Sequence, residues 1–281
     1  MIKIFKDSLK ISYSNIIMAT PLLVFLLLLN VYLVIAKNAV KALPSTILFC
    51  VTLLLMVSAF LAGWLYMIKS AVGAYNNSSE SDSDYTNLLK EFLVGIALNI
   101  KSFLGFCLLY LLIADIVFIS VYNIGLKLIG SIGISIAQFV AATEAPVAMQ
   151  ALLESLTKAQ LLKINYWYLL IFVAVQIFSL FTMFWPVEIL YSTKNPILAL
   201  FKSVFSVFLH PKVILLFLGI NLLNFVLMIF NYITMFNPIT YFLMTLVYFY
   251  FIVYIFVLLF LYYEEKIKGN SNSVTDSDRQ D

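Results

Sequence analysis

Residues 239–262 read ITYFLMTLVYFYFIVYIFVLLFLY, a run of 24 residues without a charged side chain. At about 1.5 Å per residue, an α-helix of this length crosses the roughly 30 Å hydrocarbon core of a bilayer. A helix also satisfies its own backbone hydrogen bonds, which hydrocarbon cannot do for it. The run therefore predicts a transmembrane helix.

The rest of the chain has the same character, with 63% hydrophobic and 11% charged residues over 281 positions. Soluble domains carry roughly a quarter charged residues, so this composition excludes a soluble protein. Six runs are long enough to span, namely residues 16–36, 45–68, 102–122, 166–190, 212–230 and 239–262. We predict an all-α polytopic membrane bundle that forms a single transmembrane domain over residues 1–268. The polar residues 269–281 are predicted to be a disordered cytoplasmic tail.

The basic residues predict the orientation of this bundle. If the N-terminus is inside, twelve of the 17 basic residues fall in cytoplasmic segments, as the positive-inside rule expects. Both termini are then cytoplasmic. Lysine outnumbers arginine sixteen to one. This excess is typical of an AT-rich genome and favours a bacterial source, so the expected location is the bacterial cytoplasmic membrane. The net charge of +3 is too small to suggest nucleic acid, and anionic lipid of the cytoplasmic leaflet is the expected partner.

Two stretches between the third and fourth runs are apolar but are not predicted to span. Residues 123–142 contain Gly125, Lys127, Gly130 and Gly133, and we interpret them as a re-entrant segment. Residues 147–163 carry an apolar face opposed by charged side chains. They predict an external helix in the membrane interface.

Three amphipathic stretches run directly into a predicted span. They begin at Phe5, Leu89 and Phe201 and read FKDSLKISYSNIIMATPLLVF, LKEFLVGIALNIKSFLGFCLL and FKSVFSVFLHPKVILLFLGI. Aligning Lys6, Lys90 and Lys202 also aligns Asn15, Asn99 and Pro211, nine residues later in each stretch. The pattern favours three repeated units of interfacial helix plus membrane hairpin. The alternative is that any basic linker before a span looks amphipathic.

The first and third stretches carry the clearer apolar stripes. The stripe residues are Ile2, Phe5, Leu9, Tyr13 and Ile16 in the first, and Ile197, Phe201, Val204, Phe205 and Phe208 in the third. The opposed residues are Lys3, Lys6, Asp7 and Lys10 in the first, and Lys202, Ser203 and Ser206 in the third. A helix with such faces is predicted to lie in the headgroup region, with its lysines toward anionic lipid.

Two motifs resemble a known membrane family. The stretch WPVEILYSTKNPILALFKSVF begins at Trp185, and LYYEEKIKG begins at Leu261. Together they are similar to the membrane region of membrane-bound glycerophosphodiester phosphodiesterases and of related bacterial families of unknown function. The resemblance implies a multi-pass bundle with interfacial helices. The sequence shows no soluble phosphodiesterase domain, so the catalytic activity of that family is not expected here.

Polar side chains within the spans are the candidate site residues, because they are costly in hydrocarbon. From the predicted span ends, Asn30, Asp115, Gln176, Asn221 and Asn224 are expected to share one layer near the midplane. That layer would be either a polar pocket or a set of hydrogen bonds between helices.

A second candidate lies at the inner membrane edge. Glu188 is predicted to pair with Lys101, with Lys194 as an alternative partner. We found no nucleophile–base pair, phosphate-binding glycine loop or metal cluster, so we expect neither an enzyme, a cofactor nor a metal.

These observations favour a non-enzymatic membrane protein whose interfacial helices engage the cytoplasmic leaflet or a protein partner. The alternative is a small transporter or channel that uses the midplane layer around Asp115.

Overall fold

The computed structural model describes residues 2–39, 42–77, 85–133, 146–234 and 236–268, and their regular elements are helical. The α-helices are α1 (Ile2–Ser14), α2 (Ala19–Ala39), α3 (Leu43–Asn77), α4 (Tyr85–Leu128), α5 (Pro146–Ser155), α6 (Lys158–Thr182), α7 (Trp185–Tyr191), α8 (Pro196–Leu209), α9 (Lys212–Thr234) and α10 (Pro238–Tyr262). A 3₁₀ turn (Ile16–Met18) precedes α2, and a π-helical turn (Tyr263–Lys268) follows α10.

The prediction of an all-α, multi-pass membrane protein is confirmed. Six helical segments of the described chain are long and apolar enough to cross a membrane, and they contain α2, α3, α4, α6, α9 and α10. Two of these helices are longer than predicted. The helix α3 has 35 residues and α4 has 44, because each continues into its amphipathic flank without a break.

The chain divides into two compact units, of which the first contains residues 1–109 and 180–281. Its centre is α10, on which α1, α2, α3 and α9 pack. The last two turns of α10 are buried on all sides, from Val257 to Tyr262. Aromatic contacts seal this region, with the Trp64 ring edge-on to Phe256 at 5.1 Å and Phe184 stacked on Tyr262 at 6.1 Å.

Two glycines allow α3 and α4 to cross closely within the first unit. A Cβ at Gly95 would lie 2.5 Å from Cβ of Tyr66 and 2.9 Å from the carbonyl oxygen of Ala62. A Cβ at Gly63 would lie 2.7 Å from the carbonyl oxygen of Phe92. Small residues permit this approach of two backbones in hydrocarbon, where close packing drives helix association.

The second unit, residues 110–179, joins the C-terminal half of α4 to α5 and α6. Gly130, with a φ of 80°, ends α4 in the left-handed conformation that glycine adopts most easily. Its carbonyl oxygen accepts a hydrogen bond of 3.1 Å from Nε1 of Trp167. The Lys163 ammonium donates to the carbonyl oxygen of Ser131 at 2.9 Å. These bonds fix the turn against α6.

The structure revises both non-spanning predictions in this unit. The predicted re-entrant segment begins as helix, because α4 continues to Leu128, and residues 134–142 lie outside the described chain. The predicted external helix over 147–163 was wrong in its second part. It stops at Ser155, and Lys158 already begins the spanning helix α6. The tail over 269–281 also lies outside the described residues.

Candidate membrane-interface site

The three aligned stretches fold in two different ways. After α1, Asn15 leaves the helical region with φ −123° and ψ 47°, and α2 begins four residues later. After α8, His210 adopts φ −124° and ψ 83°. Pro211 follows His210, and a proline disfavours helical backbone in the residue before it. The second stretch has no break, since α4 continues through Asn99.

The helix α1 buries its small polar face and exposes its apolar stripe. Ser8 and Ser12 are fully buried, together with Ile4 and Ile11. The predicted stripe faces outward, and its exposed members are Ile2, Leu9, Tyr13 and Ile16. Lys3, Lys6 and Lys10 are exposed. The prediction that Lys6 and Lys10 lie opposite the stripe was wrong, because they line one groove with its members Leu9 and Tyr13. A surface helix of a soluble protein would bury its apolar stripe instead.

The helix α8 has the same inverted arrangement. Ser203 and Ser206 are buried, and the Ser203 hydroxyl donates to the carbonyl oxygen of Phe181 at 2.7 Å. The three phenylalanines of the stripe are exposed, namely Phe201, Phe205 and Phe208. Small serine side chains let α8 approach the protein closely, while its large apolar side chains point away from it.

Two buried tryptophans fasten these helices. Nε1 of Trp64 donates to the carbonyl oxygen of Met18 at 2.8 Å, directly before α2 begins. Nε1 of Trp185 donates to the carbonyl oxygen of Pro196, also at 2.8 Å, in the first turn of α8. The Asn195 side chain caps the same turn by accepting from the Ile197 amide at 3.0 Å. Each interfacial helix is therefore tied to the first unit where it joins the neighbouring segment.

Glu188 lies under α8 and is almost completely buried, with 2% of its surface exposed. Its Oε1 accepts a hydrogen bond of 3.3 Å from the Ser206 hydroxyl, and its Oε2 has no hydrogen-bond partner among the described residues. The Tyr263 side chain lies close to the carboxylate.

The structure does not bring Glu188 together with its predicted partners. Lys101 is exposed. Lys194 donates to the carbonyl oxygen of Leu98 at 3.2 Å. Glu188 instead anchors the buried face of α8 through Ser206.

A polar network that we did not predict joins three elements of the first unit. The Lys69 ammonium donates to the carbonyl oxygen of Leu190 at 2.7 Å and lies 4.8 Å above the ring of Tyr191. The Tyr191 hydroxyl and the Asn76 amide both donate to Oε2 of Glu264, at 3.3 and 3.2 Å. The signal was present in the motifs WPVEILY and LYYEEKIKG, whose tyrosine and glutamate form this network.

The candidate midplane residues of the first unit are not joined to one another by hydrogen bonds. Asn30 and Asn221 each donate to a carbonyl oxygen of their own helix, at 2.8 and 2.9 Å, and Asn224 is exposed. In the second unit, Asp115 is exposed and Gln176 is half-buried. An amide bonded within its own helix needs no polar pocket.

Among the described residues, an open groove lies in each unit. The first, which we call the α1–α10 groove, has a volume of about 490 Å³ and is lined by Lys6, Leu9, Lys10, Tyr13 and Tyr250. The second, of about 580 Å³, is lined by Lys163, Tyr166 and apolar residues of α4 and α6. Neither groove is lined by a midplane candidate. Within the described part of the chain, no three His, Cys, Asp or Glu side chains are grouped as a metal site requires.

No family model, curated protein or solved structure matches the chain. The resemblance to glycerophosphodiester phosphodiesterase membrane regions stays a prediction.

Proposed function

We propose that this protein is a non-enzymatic, multi-pass component of a bacterial cytoplasmic membrane, with both termini inside, that organises anionic lipid in the cytoplasmic leaflet. The observation that carries the proposal is the inverted arrangement of α1 and α8. Both helices bury serines against the protein and expose an apolar stripe flanked by lysine.

Such a stripe is stable only against an apolar medium. Moving one fully exposed large apolar side chain out of water contributes about 2 kcal/mol. The three phenylalanines of α8 are 55%, 61% and 69% exposed, so they favour hydrocarbon by about 4 kcal/mol. Lys3, Lys6 and Lys10 beside the α1 stripe then reach the headgroup layer. Lys202 lies at the edge of the α8 stripe, where its ammonium donates to the Ser192 hydroxyl at 2.9 Å. Each lysine contributes about 1 kcal/mol near an anionic surface.

The hydrogen bonds that attach α1 and α8 to the rest of the first unit explain why these helices would order the surrounding lipid. Trp64 bonds to the turn that joins α1 to α2, Trp185 bonds to the first turn of α8, and Ser206 donates to Glu188. A stripe fixed on a rigid transmembrane core presents its lysines at a constant depth. Lipids that match this surface are expected to gather around it.

The transport alternative is not favoured by any observation. The five midplane candidates line neither groove, and Asn30 and Asn221 are satisfied within their own helices. Binding of a protein partner by the same stripes would require that partner to supply an apolar surface. The lipid of the leaflet already supplies an apolar surface all around the protein, so no protein partner is needed to cover the stripes.

The test compares lipid retained around the protein after extraction from membranes with a styrene–maleic acid copolymer. The variant K3Q/K202Q removes one exposed lysine from each interfacial helix. We expect the ratio of phosphatidylglycerol to phosphatidylethanolamine in the extracted discs to fall toward that of the whole membrane. The matched control is K127Q/K158Q, which removes two exposed lysines from segments predicted to lie outside. Equal ratios in the two variants would reject the proposal.

A further inference from the structure

The α1–α10 groove joins a basic end to an aromatic end. Lys6, Lys10 and Tyr13 lie on one face of α1, because their spacing of four and three residues matches the helical repeat. Leu9 lines the wall between them, and Tyr250 completes it from α10. The groove thus extends about 10 Å along α1 from Lys6 to Tyr13.

No described carboxylate forms an ion pair with either lysine at the basic end, although Asp7 and Glu265 lie near the Tyr75 side chain. No described side chain pairs with Lys6, and the Lys10 ammonium lies 5.7 Å above the Tyr75 ring. Asp7 is the acidic residue of α1, and its Oδ1 accepts a hydrogen bond of 3.4 Å from the Tyr75 hydroxyl. Lys6 therefore has no ion-pair partner at the mouth of an apolar groove, and Lys10, one turn away, is held only by the face of the Tyr75 ring.

We infer that the α1–α10 groove binds one anionic glycerophospholipid. Lys6 and Lys10 contact its phosphate, and Leu9, Tyr13 and Tyr250 contact the first part of an acyl chain. The inference rests on the proposed function, which places α1 at the cytoplasmic leaflet. The lysine stems extend along the apolar wall while their charged ends reach the headgroup layer.

The chemistry of the groove favours a lipid over simpler ligands. A neutral hydrocarbon would leave both ammonium groups without a counter-charge. A free phosphate would leave the leucine and tyrosine walls uncovered. An anionic phospholipid satisfies both ends at once.

The groove of the second unit provides the contrast. It too is largely apolar and contains a lysine, but Lys163 donates to the carbonyl oxygen of Ser131 at 2.9 Å. That ammonium is already bound by the protein. We expect no selective retention of anionic lipid there, so K163Q serves as a matched control.

The experiment is a titration of the full chain in detergent with phosphatidylglycerol, followed by native mass spectrometry. The wild type is expected to bind one phosphatidylglycerol molecule more tightly than any further phosphatidylglycerol molecules. It is expected to bind phosphatidylcholine more weakly than that first phosphatidylglycerol. Each lysine is worth about five-fold in affinity near an anionic group, so K6Q/K10Q should weaken the single site about 25-fold. K6R/K10R should restore it, and K163Q and K3Q/K202Q should leave it unchanged.

Three results would overturn the inference. The first is unchanged phosphatidylglycerol affinity in K6Q/K10Q. The second is equal affinity for phosphatidylcholine, and the third is effective competition by soluble glycerol phosphate, which would identify a phosphate site without a lipid. K3Q/K202Q leaves the groove residues in place, so the two tests are independent. Loss of the single site in K6Q/K10Q, with unchanged disc composition in K3Q/K202Q, would support the groove and reject the proposed function. The reverse pair of results would reject the groove and support the proposed function.

Discussion

The stretch around Lys90 and the stretches around Lys6 and Lys202 share a sequence register but not a structure. α1 and α8 are separate helices that end before a span, at Asn15 and His210. The Lys90 stretch is the first part of the 44-residue α4. In that helix the Asn99 side chain donates to the carbonyl oxygen of Gly95 at 3.1 Å, and in α1 Asn15 donates to Ile11 at 3.0 Å. The same side-chain bond therefore occurs with and without a break.

The difference shows that the aligned asparagine does not decide whether the helix breaks, and that each stretch has its own cause. The Lys90 stretch is held straight where Gly95 crosses α3 at close range. In the third stretch Pro211 removes a backbone donor and ends the helix locally. In the first stretch the Trp64 bond to Met18 stabilises the break. The predictions below test the Gly95 crossing, the anchoring of α8 by Ser206, the tryptophan bonds and the exposed midplane residues, beginning with the largest effect.

Replacing Gly95 with alanine should have the largest effect, because the new Cβ would lie 2.5 Å from Cβ of Tyr66 and 2.9 Å from the carbonyl oxygen of Ala62. We expect G95A to lower the free energy of unfolding by about 3 kcal/mol, as overpacking does. The measurement is SDS-induced unfolding in mixed micelles. The control is G73A, where no atom lies within 4 Å of the new Cβ, and helix propensity predicts a gain of up to about 1 kcal/mol. Equal stability of the two variants would show that the crossing does not hold α4.

Replacing Ser206 with alanine should have the next largest effect. The change removes the hydroxyl that donates to the buried carboxyl group of Glu188, and leaving a buried acceptor without its donor costs about 2 kcal/mol. The matched variant is S203A, on the same buried face, which loses a bond to the neutral carbonyl of Phe181 and should cost about 1 kcal/mol. The same SDS titration measures both. A smaller loss for S206A than for S203A would contradict the role of Glu188 as an anchor of α8.

The membrane spans were predictable from sequence, because the length and composition of an apolar run identify a span without knowledge of what it packs against. Residues 239–262 correspond to α10, which begins at Pro238 with Asn237 as its N-cap. The face of α1 and α8 that packs on the protein was harder to predict, because an apolar stripe can face either lipid or protein. The serine pairs, which we placed on the polar side of α8 and did not weigh in α1, turned out to be the packing face.

The candidate site was the part that sequence predicted least. The environment of Glu188 depends on Ser206, which is 18 residues away, and on the π-helical turn after α10. The network from Lys69 to Leu190 joins residues 121 positions apart. Such contacts follow from how α3, α7 and α10 pack, and no local spacing encodes them.

Replacing Trp64 or Trp185 with phenylalanine should have a moderate effect. Each change keeps most of the buried ring but removes one hydrogen bond to a backbone carbonyl, a loss of about 1 kcal/mol. Hydrogen–deuterium exchange should rise in α1 for W64F and in α8 for W185F. The control W167F removes the bond to Gly130 in the second unit and should leave exchange in both helices unchanged. A rise in neither helix would show that the tryptophans do not fasten them.

Replacing Asn30 with leucine or Asp115 with asparagine should have the smallest effect. Both side chains are exposed, and Asn30 donates only within its own helix. We expect the free energy of unfolding to change by less than about 0.5 kcal/mol for each variant. A loss of more than about 2 kcal/mol for either would indicate a buried polar contact and would return the midplane layer to consideration.

The most direct test of the central claim is the depth of the two apolar stripes in a bilayer. Single cysteines at Leu9 and Phe205, and matched cysteines at Lys6 and Lys202, would be placed in a background in which the exposed Cys50 is replaced. Each would be labelled with an environment-sensitive fluorophore in lipid nanodiscs. Labels at 9 and 205 should be quenched by brominated acyl chains, and labels at 6 and 202 by aqueous iodide. Iodide quenching of all four labels to the same extent would contradict the account, because the stripes would then face water.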